Sequence, residues 1–467
     1  MPPLPPLSRR ELLARGGCGL GLVGLAGMLA DAGELSAQPA TDPLAVKPPH
    51  FAPRARRLVH VFLNGGPSHV DTLDPKPALA RYAGQPLPLS LTTERKTGTA
   101  LPSPFAFRRH GESGLELSEL FARTAIHADR IAVIRSMFAH VPNHEPSLML
   151  MNCGDSVQPR PSVGSWLLYG LGSENRNLPG FIAMCPGGLP VKGPDNWQAG
   201  FLPGSLQGTA LDSRHTAVEK LIENIRSPHA GPAQQRRQLD LLARLEAARG
   251  VADPRLEARI GSFELAFRMQ TEAAEAFDLA GETRETRELY GDTVHGRQLL
   301  VARRLLERGV RAVQVWHGAG QPWDNHEQIE PNLRRLCGEI DGPLSAFLTD
   351  LGRRGLLDDT LVLVGGEFGR TPAVELGGDG AAKAGRDHNH YGFSVFLAGG
   401  GIRGGTVHGA TDDFGFRAAV DPVSVHDLHA TILHLLGLDH KRLTYRYAGR
   451  DFRLTDVHGR VLQPLLA

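Results

Sequence analysis

The sequence predicts an α/β fold with a mostly parallel central sheet and a helical insertion. Three observations carry that expectation. Apolar runs ending near Leu63, Trp316 and Val364 are continuous enough for strands buried on both faces. Each run is followed at once by carboxylate or imidazole candidates, at the strand end where open α/β sheets bind ligands. From about Ala217 to Glu307 the composition turns to Glu, Arg, Ala, Leu and Gln at helical spacing, which reads as a hairpin or insertion packed on the main body.

At 467 residues the chain has ample core for one large domain or two ordinary ones. Its 51 basic and 50 acidic residues leave a net charge of +1, so no nucleic-acid partner is expected. The four cysteines, Cys18, Cys153, Cys185 and Cys337, lack any CxxC pairing, so neither a zinc ribbon nor a disulfide framework is indicated, and with Cys18 removed at most one bridge can form.

The N-terminus, SRRELL from Ser8 to Leu13 followed by a Gly- and Leu-rich run to Ala30 and then Ala30-Asp31-Ala32, reads as an export signal over residues 1–32. The pair Arg9-Arg10 is similar to the twin-arginine type, which sends folded proteins out of the cytoplasm to the periplasm or beyond. The run is too short and too Gly-rich for a membrane span, so no integral span is expected in the mature chain. Residues 33–56 read as a linker, and residues 57–467 as the folded domain.

Leu58 to Leu63 is the first strand, stopped sharply by Asn64-Gly65-Gly66-Pro67. Ser68, His69, Asp71 and Asp74 follow it; Ser68 also reads as a helix cap and Asp74-Pro75 as a turn, which leaves Asp71 the strongest of the four. Gln85 to Ser103 is a polar loop, Leu117 to Ala128 a helix and Ile131 to Ile134 a strand. In HVPNHEPSLMLMNCG, His144 stands before an apolar run at a helix start, where free backbone N–H groups suit an anion such as phosphate or sulfate. Val163 to Leu171 is a helix and Gly180 to Met184 a short strand. Within the insertion, Leu265, Met269, Ala273 and Phe277 recur every four residues as a core stripe.

Val310 to Gly318 is a strand with Asp324 and His326 beyond its end, Ile340 to Leu351 a helix stripe, and Asp358 to Pro372 holds a buried strand ending in Gly365-Gly366-Glu367. RDHNHYG, Arg386 to Gly392, gathers Asp387, His388 and His390 before a strand from Phe393 to Leu397. In an extended segment His388 and His390 share one side and can reach one ion, while Asp387 and Asn389 face away. Imidazole nitrogen with carboxylate oxygen suits a divalent cation, zinc first, with manganese or calcium as alternatives. Val423 to Leu438 is a closing amphipathic helix.

The second half, with Asp324-x-His326, DDTLVLVGGEFGR, DHNHYG and VSVHDLHATILHLLGL, resembles the alkaline phosphatase and sulfatase superfamily. With the twin-arginine signal, GGPSHVDTLDPKP and GGEFGRTP, the chain more narrowly resembles the exported family called domain of unknown function 1501. The resemblance implies an alkaline-phosphatase-like α/β/α sandwich holding divalent metal and hydrolysing sulfate or phosphate esters, sulfated or phosphorylated glycans among them. It assigns metal to Asp71, Asp324, His326, Glu367, and to Asp387, His388 or His390, and an anionic substrate to Arg370 and Ser68. Two departures stand out: Phe368 occupies the place of a second-metal histidine, and HEPSLMLMNCG aligns with the sulfatase pattern CxPSRxxxLTG so that His144 stands at the nucleophile. His144 is then a nucleophile or a general acid or base. The alternative is a non-catalytic relative that binds an anionic glycan or a protein partner.

Overall fold

Nine strands form one sheet at the centre of the molecule, a computed structural model that describes residues 42–215, 217–221, 230–249 and 254–467. The strands are β1 (Arg57–Phe62), β2 (Ile131–Phe138), β3 (Phe181–Met184), β4 (Thr209–Leu211), β5 (Ala312–Trp316), β6 (Thr360–Gly365), β7 (Phe393–Ala398), β8 (Thr406–His408) and β9 (Val423–Ser424). Their order is β8-β2-β7-β6-β1-β5-β3-β4, with β9 also on β2. All pairings are parallel except those of β7, which runs antiparallel to both β2 and β6.

The predicted strands are buried because their alternate side chains feed two cores. Val59, Val61, Val313, Val315, Val362 and Val364 face one, with α5 (Val294–Glu307) and α6 (Ile329–Arg353). Leu58, Phe62, Ala312, Trp316, Leu361 and Leu363 face the other, with α1 (His144–Cys153), α2 (Val163–Leu171) and α7 (Val425–Leu435). Helices on both faces of a mostly parallel sheet make the expected α/β/α sandwich. Phe62 stacks on Trp316 at 4.3 Å, pinning the ends of the two central strands together.

The insertion contains α3 (Pro232–Arg249) and α4 (Pro254–Phe277), joined by a forked Arg236–Glu264 pair at 2.5 and 2.8 Å. Met269 and Phe277 are buried in the core and Leu265 packs half-buried against it.

One expected helix differs. Leu115–Ser118 is a strand paired with Phe107–His110, and the 3-10 turns Glu119–Phe121 and Thr124–Arg130 replace the rest. The apolar positions 115, 117, 120 and 121 satisfy both a two-residue and a helical period over so short a window. The proposed export signal, residues 1–32, lies outside the described residues. The described part of the predicted linker runs along the body: Ser173 N–H donates to Leu44 O at 2.9 Å and Arg54 N–H to Leu435 O at 2.8 Å. Cys153, Cys185 and Cys337 are buried and free. No helix among the described residues is long and apolar enough to cross a membrane.

The topology brings distant segments to one edge. β1, β5 and β6 end level, with Phe62 opposite both Trp316 and Gly365. β2 is parallel to them and leads toward α1, and β7, being reversed, starts where they stop.

Candidate metal centre

Three loops leaving the central strands are knitted to each other first. Asn64, just after β1, donates its amide to Gly318 O at 2.9 Å and Gly320 O at 2.7 Å beyond β5. Gly65 follows at φ +117°, and a Cβ there would meet Asp324 N at 2.6 Å, so only glycine permits this approach. Its N–H donates to both Glu367 oxygens, at 3.0 and 3.2 Å. Arg370, wholly buried, donates to Gly65 O, Gly66 O and Arg386 O and pairs with Asp324 Oδ1 at 2.6 Å.

Four side chains converge beside this frame. His144 is the first residue of α1, after Asn143, whose side-chain amide donates to Glu94 at 2.8 Å rather than capping the helix. Asp324 and His326 lie on the loop after β5, and His388 sits on a two-residue ribbon opposite Arg370, ahead of β7. His388 Nε2 is 3.0 Å from His144 Nε2 and 3.1 Å from His326 Nε2. Asp324 Oδ1 is 2.8 Å from His326 Nε2, 3.2 Å from His388 Nε2 and 3.3 Å from His144 Nε2. Four ligands around one tetrahedral zinc, each about 2.0–2.1 Å from it, lie about 3.3 Å apart. Five of the six pairs in the cluster have about that spacing.

The far nitrogen of every ring meets a carboxylate. His144 Nδ1 donates to Glu367 Oε1 at 2.7 Å, His388 Nδ1 to Glu94 Oε2 at 2.9 Å, and His326 Nδ1 to Glu375 Oε2. A neutral imidazole that donates through Nδ1 presents a bare lone pair at Nε2. Three such lone pairs and a carboxylate oxygen at one point have no proton to share among them, and a cation satisfies all four. Carboxylates behind metal-binding histidines are the usual means of fixing ring orientation and basicity.

The charges agree. Glu94, Asp324, Glu367, Glu375 and Asp387 surround the rings, against the cations Arg95, Arg370 and Lys383. Burial opposes a charged His144, but Asp324 and Glu367 outweigh it and push the ring up to about 9. Burial likewise opposes the Asp324 carboxylate, yet the three histidines and Arg370 hold it far below the usual carboxylate range. His388 is lowered by burial, and by the charges of Arg370 and His144. A proton on His144 or a divalent ion supplies the positive charge this site requires.

Other predicted residues fall elsewhere. Asp71 is fully buried in a closed pair: Arg386 donates to it at 2.8 and 3.1 Å and Ser68 Oγ at 2.5 Å, so neither Asp71 nor Ser68 faces the centre. Arg370 is consumed by Asp324 and by carbonyls, which leaves it no surface for a substrate anion. His390 does not join His388. The extended pairing stops at Asn389, whose amide bonds Gly392 O, Gly415 O and Phe416 O, and the His390 ring instead lies on Tyr391 at 3.9 Å. Asp387, expected to face away, lies within reach of His326, Glu375 and His388; its Oδ2 accepts from Arg95 N–H at 2.7 Å and its Oδ1 is buried without a partner among the described residues. Phe368 packs against His144 and His388 at 4.8 and 4.7 Å, so it walls the centre on the side where a second imidazole was expected.

Glu94 and Glu375 were missed by sequence reasoning. Glu94 lies in a segment read as a polar loop and Glu375 in one assigned to no element, where no periodicity singles out one carboxylate.

Several solved structures are similar in overall architecture at low identity. The PsFucS1 sulfatase from Pseudoalteromonas sp. is 11% identical, with 90% of this chain and 71% of that one covered and a TM-score of 0.35. The phosphonate monoester hydrolase SpPMH from Silicibacter pomeroyi is 12% identical, covering 74% and 71% at a TM-score of 0.33. The alkaline phosphatase from the Antarctic bacterium TAB5 is 10% identical, covering 84% and 99% at 0.30. No curated protein matches the chain. Residues 55–466 match the family described as protein of unknown function DUF1501, and the chain belongs to that family.

Proposed function

We propose that this protein is an exported, metal-dependent hydrolase of sulfate or phosphate esters, with its centre at His144, Asp324, His326 and His388. One observation carries the reading: three imidazole Nε2 atoms each lie 2.8–3.3 Å from Asp324 Oδ1 while each Nδ1 donates to its own carboxylate. Three nitrogens and one carboxylate oxygen favour zinc, with manganese or calcium less suited to so nitrogen-rich a set. A divalent ion held by these side chains would supply Lewis-acid polarisation of a sulfuryl or phosphoryl oxygen and would acidify water, given a coordination position that the side chains leave open.

In this reading His144 is a ligand, because Glu367 holds one ring nitrogen and the other points into the centre. It replaces the nucleophile suggested by alignment. Asp324 is the part of the set that solvent reaches, its side chain being 23% exposed, so substrate approaches on that side. Arg95 and Lys383, 46% and 33% exposed beside Glu375, take the anion-binding part expected of Arg370. Phe368 excludes water from the opposite side of His144 and His388.

The test is elemental analysis of the purified chain beside His326→Ala and His388→Ala, followed by assay of chromogenic aryl sulfate and aryl phosphate esters. A divalent metal lost from both variants together with ester cleavage supports the hydrolase. A wild-type protein that retains no metal even after reloading sinks it and favours the glycan- or partner-binding alternative. Export rests on Ser8 to Ala32 alone and is tested by fusing residues 1–32 to a reporter that works only outside the cytoplasm.

A further inference from the structure

A second group of imidazole and carboxylate side chains lies behind the Asp324 loop, on different elements from the first. His295 is the second residue of α5, His317 follows directly on β5, and Glu339 projects from α6. One nitrogen of each ring and one Glu339 oxygen lie within 4.8 Å of one another. The His295 and His317 rings are 4.2 Å apart, and both residues are more than nine-tenths buried.

The hydrogen bonds orient both rings. Gln298 donates its amide N–H groups to Met184 O at 2.9 Å and Trp316 O at 3.0 Å, which turns its oxygen toward His295 Nδ1 at 3.0 Å. His295 Nδ1 is therefore the N–H, and Nε2 carries a lone pair. His317 Nε2 lies 3.0 Å from Glu339 Oε2, a contact that a proton on Nε2 or an ion shared by the two groups satisfies, while Nδ1 lies on the other edge of the ring. That Nδ1 is buried and has no partner among the described residues. The His295 ring, the His317 ring and Glu339 thus offer one ligand atom each around a single point, and a cation there satisfies the His295 lone pair and the His317–Glu339 contact together.

We infer that His295, His317 and Glu339 form a second divalent-cation site, independent of the first and of the proposed hydrolysis. Two imidazoles and one carboxylate suit zinc or a similar borderline ion. Gln298 orients His295 as a carboxylate or carbonyl does behind many metal-bound histidines. Glu339, 39% exposed, is the route of entry, and its other oxygen is held by Arg335 at 2.9 Å. An ion here ties α5 and α6 to the exit of β5. Trp323 stands edge-on to His317 at 5.2 Å, one residue before Asp324, so the clamp braces the loop that carries the exposed ligand of the first centre.

Metal stoichiometry of the full chain, reloaded with zinc and dialysed against metal-free buffer, tests the site. Wild type is expected to hold about two equivalents; His295→Ala, Glu339→Gln and His388→Ala about one each; and the His295→Ala/His388→Ala double variant close to none. Cobalt loading gives a second readout: the absorption remaining in His295→Ala and in His388→Ala should differ in band position. Circular dichroism establishes that each variant is folded, and Glu339→Gln, at a half-exposed position, covers the case in which His295→Ala is not. One equivalent in wild type, unchanged in both His295→Ala and Glu339→Gln, overturns the second site and leaves the first intact. Metal lost only through His295→Ala, and not through His388→Ala, supports this site while removing the proposed catalytic one.

Discussion

Replacing Glu367 by Gln changes one oxygen into an NH2 group and leaves the volume of this buried side chain almost unaltered. Glu367 accepts from His144 Nδ1 at 2.7 Å and from Gly65 N–H at 3.0 and 3.2 Å. Glutamine can keep its oxygen on His144, which sets an NH2 against the Gly65 N–H. The other orientation sets the NH2 against His144 and drives the ring proton to Nε2, inside the centre. Either arrangement weakens the ligand. Loss of such a supporting carboxylate costs about 10- to 100-fold in metal affinity, equivalent to about 1.4–2.7 kcal/mol. Without metal, losing a hydrogen bond to a charged group costs about 1.5–3 kcal/mol of stability. Zinc affinity measured by competition with a chromophoric chelator, and urea unfolding in excess chelator, report the two effects separately. Glu145→Gln, exposed on the same helix, is the control. An affinity for Glu367→Gln within about threefold of wild type would show that His144 is not oriented by this carboxylate.

Further expectations concern the residues that separate the centre from its surroundings. His390→Ala should retain the metal that His388→Ala loses, as read by elemental analysis, because its ring is stacked on Tyr391 away from the cluster. Asp71→Ala leaves Arg386 buried and unpaired, and should cost about 3–5 kcal/mol in urea unfolding while the folded variant keeps its metal. In the metal-free protein His144 is raised from 6.5 to about 9 in the folded state. The stability it contributes, at most roughly 3 kcal/mol, is therefore complete below pH 6.5 and is lost as pH rises through 9. Metal competes with that proton, so zinc affinity should rise over the same interval; equal stability of the metal-free protein on both sides of it would refute the assignment.

The strands were legible because burial on both faces demands a largely apolar run, and Leu58–Leu63, broken only by His60, Val310–Trp316, broken by Arg311 and Gln314, and Leu361–Val364 supply it. The strand ends then led to Asp324, His326 and Glu367. Reading His388 and His390 as a pair required strand alternation to persist, and Asn389 ends it by bonding three carbonyls of a turn. Asp71 carried the right chemical type at the right strand end, yet its charge is answered by Arg386, 315 positions away and invisible to local pattern. Glu94 and Glu375 were illegible for the same reason: a carboxylate that orients a histidine needs only to touch it, and touch across 294 or 49 positions leaves no mark on periodicity.

The loop bearing Glu94 and Arg95 reaches the body through few polar ties. Glu94 accepts from His388 Nδ1 and from Asn143, and Arg95 bonds Asp387 and Glu375. The bond that fixes the His388 tautomer is thus also a latch on this segment. Occupancy of the centre and docking of the segment are linked reciprocally, each favouring the other by the same free energy. On the proposed reading, the peptide between residues 85 and 96 is in this sense a gauge of whether the centre holds an ion.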